Sequence, residues 1–168
     1  MPGYIIHIAV AKEYAENKNK KFTEELVRGV ISPDLTKDKS KTHYGKSPAY
    51  TNLKEFITNN NIDTDYKLGA FLHLITDYLF YNKYLKKIKK PEIYEDYDKT
   101  NKQLIEKYNI EIPEDIKQFV FFKEGTTQIF TIEMIENLIK EVSNLDLEKT
   151  KQEIIKDNIK WKSYKKLV

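Results

Sequence analysis

The stretch Leu68-Gly69-Ala70-Phe71-Leu72-His73-Leu74-Ile75-Thr76-Asp77-Tyr78-Leu79-Phe80 decides the fold class. It opens after Asp63-Thr64, a capping signal, and its apolar residues recur at helical spacing. Leu68, Phe71, Leu72, Ile75, Leu79 and Phe80, continued by Leu85, surround the axis on most sides. That pattern predicts a central, buried helix over roughly residues 65–89, closed by Pro91. His73 and Asp77 stand four apart on it, so both side chains share one face, with Cβ atoms about 5–6 Å apart. Gly69 and Ala70, a turn earlier, leave room for another element to approach.

Outward from this helix the same periodicity recurs nearly everywhere, and strand-like alternation is scarce. A first helix is predicted over residues 4–17, with Ile5, Ile8, Ala9 and Ala15 toward the core. Thr23 opens a second, expected to stop before Pro33 because proline restricts its predecessor. Residues 32–47 read as a polar loop, and helical character returns at 51–58. Further helices are predicted near residues 97–108, 131–142 and 147–159, while 119–122 suits either a short strand or a helix end. No repeat or low-complexity linker divides the 168 residues, so the expectation is one all-α domain over 1–168.

Composition excludes several function classes. The 29 basic and 26 acidic residues are thoroughly mixed and give no basic stripe, so no stable nucleic-acid partner is expected. Lys86, Lys87, Lys89, Lys90 and the tail Lys165, Lys166 read as solvated helix ends. With no cysteine, disulfides, thiolate sites and cysteine nucleophiles are ruled out, and any metal must be held by nitrogen and oxygen. No uncharged stretch approaches the roughly 20 residues of a membrane span, so no insertion is expected. The N-terminus lacks a basic signal-peptide region, and a cytoplasmic location follows as the expectation.

The chain has three histidines, and their settings carry most of the functional information. His73 and Asp77 can be a buried structural pair or a ligand pair. An Asp on so apolar a helix needs a counter-charge, which a divalent cation would supply. His43, within Lys41-Thr42-His43-Tyr44-Gly45, reads by itself as an exposed loop histidine. Asp34 follows Ser32-Pro33, where Asp is a common turn residue. His7, among Ile5, Ile6, Ile8 and Ala9, reads by default as a satisfied core histidine.

Taken in order, these segments resemble the bacterial zinc-dependent phospholipase C-like family, relatives of the S1/P1 nuclease fold. The resemblance runs through Met1-Pro2 and His7, Ser32-Pro33-Asp34, Thr42-His43-Tyr44-Gly45 and the Gly69-x-x-x-His73-x-x-x-Asp77 stretch, ending near Tyr84. It implies a helical bundle with a zinc centre that hydrolyses phosphodiesters. By similarity Asp34, His43, His73 and Asp77 gather around one metal, and His7 faces a neighbouring position that Asp77 bridges. Two features depart from the family. No histidine follows His73, and His7 is only six residues from Met1, too close for an upstream signal peptide to have been removed. One ion is therefore expected first and two second, rather than three. Asp38, Asp96 and Asp98 are the carboxylates available as substitute ligands, with capping or solvation as their ordinary roles.

Two Asp and two neutral His around one dication make a net-neutral set that suits Zn²⁺, and also Fe²⁺, Mn²⁺ or Ni²⁺. With an open position, the expected activity is hydrolysis of a small phosphoester by a metal-activated water, which Asp34 or His7 would orient or deprotonate. Lys41 or Lys46 could act electrophilically, although loop lysines are ordinarily solvated. With no open position, the metal would only tie the loop to the helices of a binding or scaffold domain. Other hydrolase patterns are missing: Ile8, Tyr44 and Leu74 follow the histidines, so there is no His-Asp pair, and no His-Glu-x-x-His or nucleophile-elbow sequence occurs.

Overall fold

Helical spacing becomes helix throughout residues 3–164, the part of the chain that the computed structural model describes, and these residues contain no strand. Met1, Pro2, Lys165 and Lys166, each used in reading the sequence, lie outside the described residues. The elements are α1 (Tyr4–Asn17), α2 (Glu24–Leu35), α3 (Lys39–His43), α4 (Leu53–Asn59), α5 (Asp65–Leu79), α6 (Glu92–Tyr108), α7 (Ile132–Ser143), α8 (Leu147–Ile155) and α9 (Ile159–Lys162). Short 3₁₀ turns occupy Pro48–Tyr50 and Glu114–Phe119. No helix among the described residues is long and apolar enough to cross a membrane.

α5 is the buried centre that its sequence predicts: every residue from Gly69 to Asp77 is buried. α1 is buried just as fully, on all sides from Ile5 to Ala11, because no charged side chain interrupts that run. α2 packs most closely on α5, and α1 lies against α2, α5, α6 and α7. Apolar side chains from all these helices join one core.

The α2–α5 crossing is backbone against backbone. A Cβ placed on Gly29 would sit 2.2 Å from the Tyr66 carbonyl oxygen, and one on Gly69 would sit 2.5 Å from that of Leu26. Only glycine permits this approach. Thr23 secures the same corner: its hydroxyl accepts from Leu26 N–H at 3.1 Å and donates to Asp65 Oδ2 at 2.6 Å.

Several boundaries differ from the sequence expectation. α2 does not stop before Pro33 but runs through it to Leu35. Proline lacks the N–H that would reach the Gly29 carbonyl, and the Ser32 hydroxyl donates to that carbonyl instead, at 3.0 Å. The supposed loop 32–47 contains the last turn of α2 and all of α3. α5 ends at Leu79 and passes into a π-turn, Phe80–Tyr84, rather than continuing to Lys89. There the Asn82 amide donates to the Tyr78 carbonyl at 2.7 Å, which competes with the helical ladder. α6 begins at Glu92, so Asp96 and Asp98 lie inside it. Asp157, at φ 54°, separates α8 from α9 where one helix was expected. Phe119 ends a 3₁₀ turn, and the residues after it are neither strand nor helix.

Candidate metal centre

Four helices deliver five side chains to one dry point: His7 from α1, Asp34 from the last turn of α2, His43 from α3, and His73 and Asp77 from α5. All five side chains are fully shielded from solvent. The structure therefore brings together every residue singled out as a ligand, including the loop histidine and the histidine read by default as core.

The orientation of two rings follows from their outer nitrogens. His73 Nδ1 lies 2.7 Å from the Val30 carbonyl oxygen, and His43 Nδ1 lies 3.1 Å from that of Lys39. A carbonyl can only accept, so each Nδ1 carries a proton, and in the neutral ring Nε2 is the atom that turns a lone pair inward. The two Nε2 atoms face each other at 3.3 Å. Such buried partners on the far nitrogen are the usual way a metal-binding histidine is held in its tautomer.

The inward atoms fit a cation. Asp34 Oδ1 lies 3.8 Å from His43 Nε2 and 3.7 Å from His73 Nε2, while Asp77 Oδ2 lies 2.9 Å and 3.4 Å from the same two nitrogens. A tetrahedral Zn²⁺ with bonds near 2.0–2.1 Å requires ligand-to-ligand edges of about 3.3 Å. The His43–His73 edge and the four edges from these nitrogens to the carboxylates, 2.9 to 3.8 Å, scatter about that length. The other carboxylate oxygens face His7, whose Nε2 lies 3.2 Å from Asp77 Oδ1 and 3.9 Å from Asp34 Oδ2. Two clusters of mutually close ligand atoms result, Asp34–His43–His73 and His7–His73–Asp77, and both carboxylates reach both sides.

Hydrogen bonding does not account for this arrangement. Both oxygens of Asp34, both of Asp77 and both ring nitrogens of His7 are buried without a hydrogen-bond partner, the short approaches lacking the required alignment. So many bare polar atoms in one place are costly unless a cation satisfies them. Electrostatics within the cluster are correspondingly strong. Burial, with His73 stacked at 3.6 Å, lowers His7 to about 4 against the pull of Asp77 and Asp34. Burial also opposes charge on Asp77, but His73, His43 and His7 outweigh it and hold that carboxyl well below the usual range. For His73, burial is outweighed by Asp34 and Asp77, which raise it.

The substitute carboxylates are not recruited. Asp38 caps α3, accepting from Ser40 N–H at 3.2 Å on an exposed surface. Asp98 is half-buried, and Lys123 N–H reaches its backbone carbonyl rather than its carboxyl. Asp96 is fully buried but accepts from the backbone N–H groups of Gln128, Ile129 and Phe130, at 2.9, 2.6 and 3.2 Å to Oδ2. It anchors the segment leading into α7. We expect Asp96→Ala to cost about 3 kcal/mol, the loss of a charge-assisted network with donors left bare, while metal content stays at the wild-type level. Urea unfolding and metal analysis of one preparation check both halves; metal loss with stability intact would contradict this assignment.

Three residues near the centre have no signal of their own in the sequence. Lys39 donates to the Asp34 carbonyl oxygen, with Nζ 3.7 Å from Asp34 Oδ1, whereas Lys41 lies by Asp38 and Lys46 over the Tyr50 ring. The Tyr4 hydroxyl donates to the Asp34 carbonyl at 3.2 Å and is pushed up to about 12 by burial and Asp34. Tyr97 is buried with its hydroxyl unpartnered, and burial together with Asp77, Tyr94 and Asp34 raises it well above its ordinary value. The partners of Tyr4 and Tyr97 are distant in sequence, and Lys39 meets Asp34 only because α2 turns into α3 between them.

Set against family models, curated proteins and solved structures, the chain matches none. The site must be read from its own atoms.

Proposed function

We propose that this chain is a metal-dependent hydrolase of small phosphoesters, of the zinc-dependent phospholipase C-like kind that its motifs resemble. The observation that carries the reading is the convergence of two carboxylates without hydrogen bonds and three histidines on one dry point, where their ligand atoms form the close groups Asp34–His43–His73 and His7–His73–Asp77. Zn²⁺ suits the spacing and the nitrogen–oxygen donors, and Fe²⁺, Mn²⁺ or Ni²⁺ accept the same donors. His7 would hold a second ion with the outer carboxylate oxygens, or remain free.

A divalent cation held there supplies a Lewis acid for a phosphoryl oxygen and lowers the pKa of water. The chain's own groups do the rest. Asp34 Oδ2, which faces His7, would orient an attacking water. His7, neutral at pH 7 and bare at both nitrogens, is placed to take its proton. His73 and His43 keep their rings fixed through Val30 and Lys39. The absence of cysteine suits a reducing, cytoplasmic setting.

Complete burial of all five side chains favours a second reading, a closed site whose metal only staples α1, α2, α3 and α5 together. Protein purified without an affinity tag separates the two. The hydrolase is expected to carry about one or two equivalents of metal and to cleave 4-nitrophenyl phosphate or bis(4-nitrophenyl) phosphate. His7→Ala should retain a metal ion yet lose about 10²–10⁴ of that rate, the range for removing a proton-transfer group. Bound metal with no turnover on either ester would leave the staple; protein that refuses zinc and manganese alike would sink both readings.

A further inference from the structure

Between α3, the Pro48–Tyr50 turn and the start of α6 lies a cavity of about 350 Å³. None of the five candidate ligands lines it, and Lys39 is its link to the metal centre. Lys39 lines it and also reaches the carbonyl and carboxylate of Asp34. Tyr94 also lines it, packing at 6.1 Å against Tyr97, whose buried hydroxyl has no hydrogen-bond partner.

The charge of the lining is one-sided. Lys39 and Lys90 contribute two cations, and no carboxylate lines the cavity. The larger groove of about 890 Å³ beside α2 differs in this respect, since Glu24, Glu111, Glu114 and Asp115 there offset Lys12, Arg28 and Lys117. Apart from Ser47, the remaining wall of the smaller cavity is apolar or aromatic, formed by Pro48, Ala49, Ile88 and Ile93 with Tyr50, Tyr81 and Tyr94. A volume at the low end of ligand cavities, about 300–1,000 Å³, admits one compact group rather than a polymer.

We propose that this cavity is the substrate site: it takes a phosphoester whose anionic group lies on Lys39 and whose single ring or short alkyl group fills the aromatic wall. The phosphoester identity rests on the hydrolase reading above; anion recognition by Lys39 and Lys90 does not. Lys39 then has a double role, steering the anion while fixing the turn that presents Asp34.

Phenylphosphonate tests this without turnover, since its carbon–phosphorus bond is not an ester. Calorimetric titration into zinc-loaded wild type should show binding, with benzyltrimethylammonium, of similar size and opposite charge, showing none. Lys39→Met and the exposed Lys90→Glu should each weaken phenylphosphonate binding by about tenfold or more, the loss of one charge-assisted contact. Metal content should be unchanged in Lys90→Glu, so that variant stays informative even where Lys39→Met folds poorly. Wild type that fails to bind phenylphosphonate, or a Lys90→Glu variant that binds it as tightly, would overturn the proposal. Phenylphosphonate binding without turnover of any ester would instead count against the hydrolase reading and leave the anion site standing.

Discussion

Gly69→Ala is expected to lower the free energy of unfolding by about 3 kcal/mol or more, at the upper end for overpacking. The added methyl would meet the Leu26 carbonyl oxygen at 2.5 Å and the Val30 nitrogen at 2.6 Å. These are backbone atoms of α2, which cannot rotate aside as a flexible side chain does, so the whole helix must move. Val30 also supplies the carbonyl, 2.7 Å from His73 Nδ1, that holds this ligand's ring in place. The substitution should therefore weaken zinc binding by about 10–100-fold, the usual consequence of disturbing a ligand's outer hydrogen bond. Urea unfolding of the metal-free protein measures the first effect, and competition with a chromogenic chelator the second. A variant with the wild-type midpoint would show that α2 and α5 do not meet this closely.

Zinc itself should act as a stabiliser of similar size. A ligand present at a thousandfold its dissociation constant, binding only the folded chain, adds about 4 kcal/mol. Thermal unfolding should accordingly move to markedly higher temperature when zinc is restored to chelator-treated protein. Asp77→Asn should abolish that increment, because Asp77 is the carboxylate closest to all three histidines, at 3.2, 2.9 and 3.4 Å. His7→Ala should preserve most of it if one ion suffices, and lose one equivalent of metal if two are bound. Identical melting with zinc and with chelator would mean that the cluster is a network of buried ion pairs and nothing more.

How far the sequence could be read depended on how local each determinant was. α5 was legible because its apolar residues surround the axis within one continuous run, and the His73–Asp77 pairing follows from helical geometry alone. α1 was harder: its helical bounds were readable, but a helix buried on every side leaves no polar face, and its uninterrupted apolar run was the only sign. Pro33 misled in the opposite way, because the Ser32 hydroxyl that serves the Gly29 carbonyl cannot be foreseen from the proline itself. The stretch after Leu79 misled because Leu85 and Ile88 continue an apparent helical spacing that the π-turn breaks.

For the centre, residue types were legible and partners were not. The fold converts His43 from a loop residue into a buried ligand candidate by winding α3 beneath it. It also commits Asp96 to the amides of Gln128, Ile129 and Phe130, so that carboxylate has nothing left for a metal. Tyr4 and Tyr97 matter only through contacts across the chain, and Lys39 through the turn between α2 and α3, which no spacing rule captures.

All five candidate ligands come from α1, α2, α3 and α5, against which α6 and α7 pack from outside. The molecule thus divides its labour along its length, with the candidate metal ligands held before residue 80 and only buttressing contributed by α7, α8 and α9. Substitutions in α8 and α9 that keep their few buried side chains are free to accumulate without touching a ligand. The later third of such a chain can drift far from any ancestor while the centre stays intact. A protein built this way would keep its chemistry long after its overall sequence had ceased to resemble its kin.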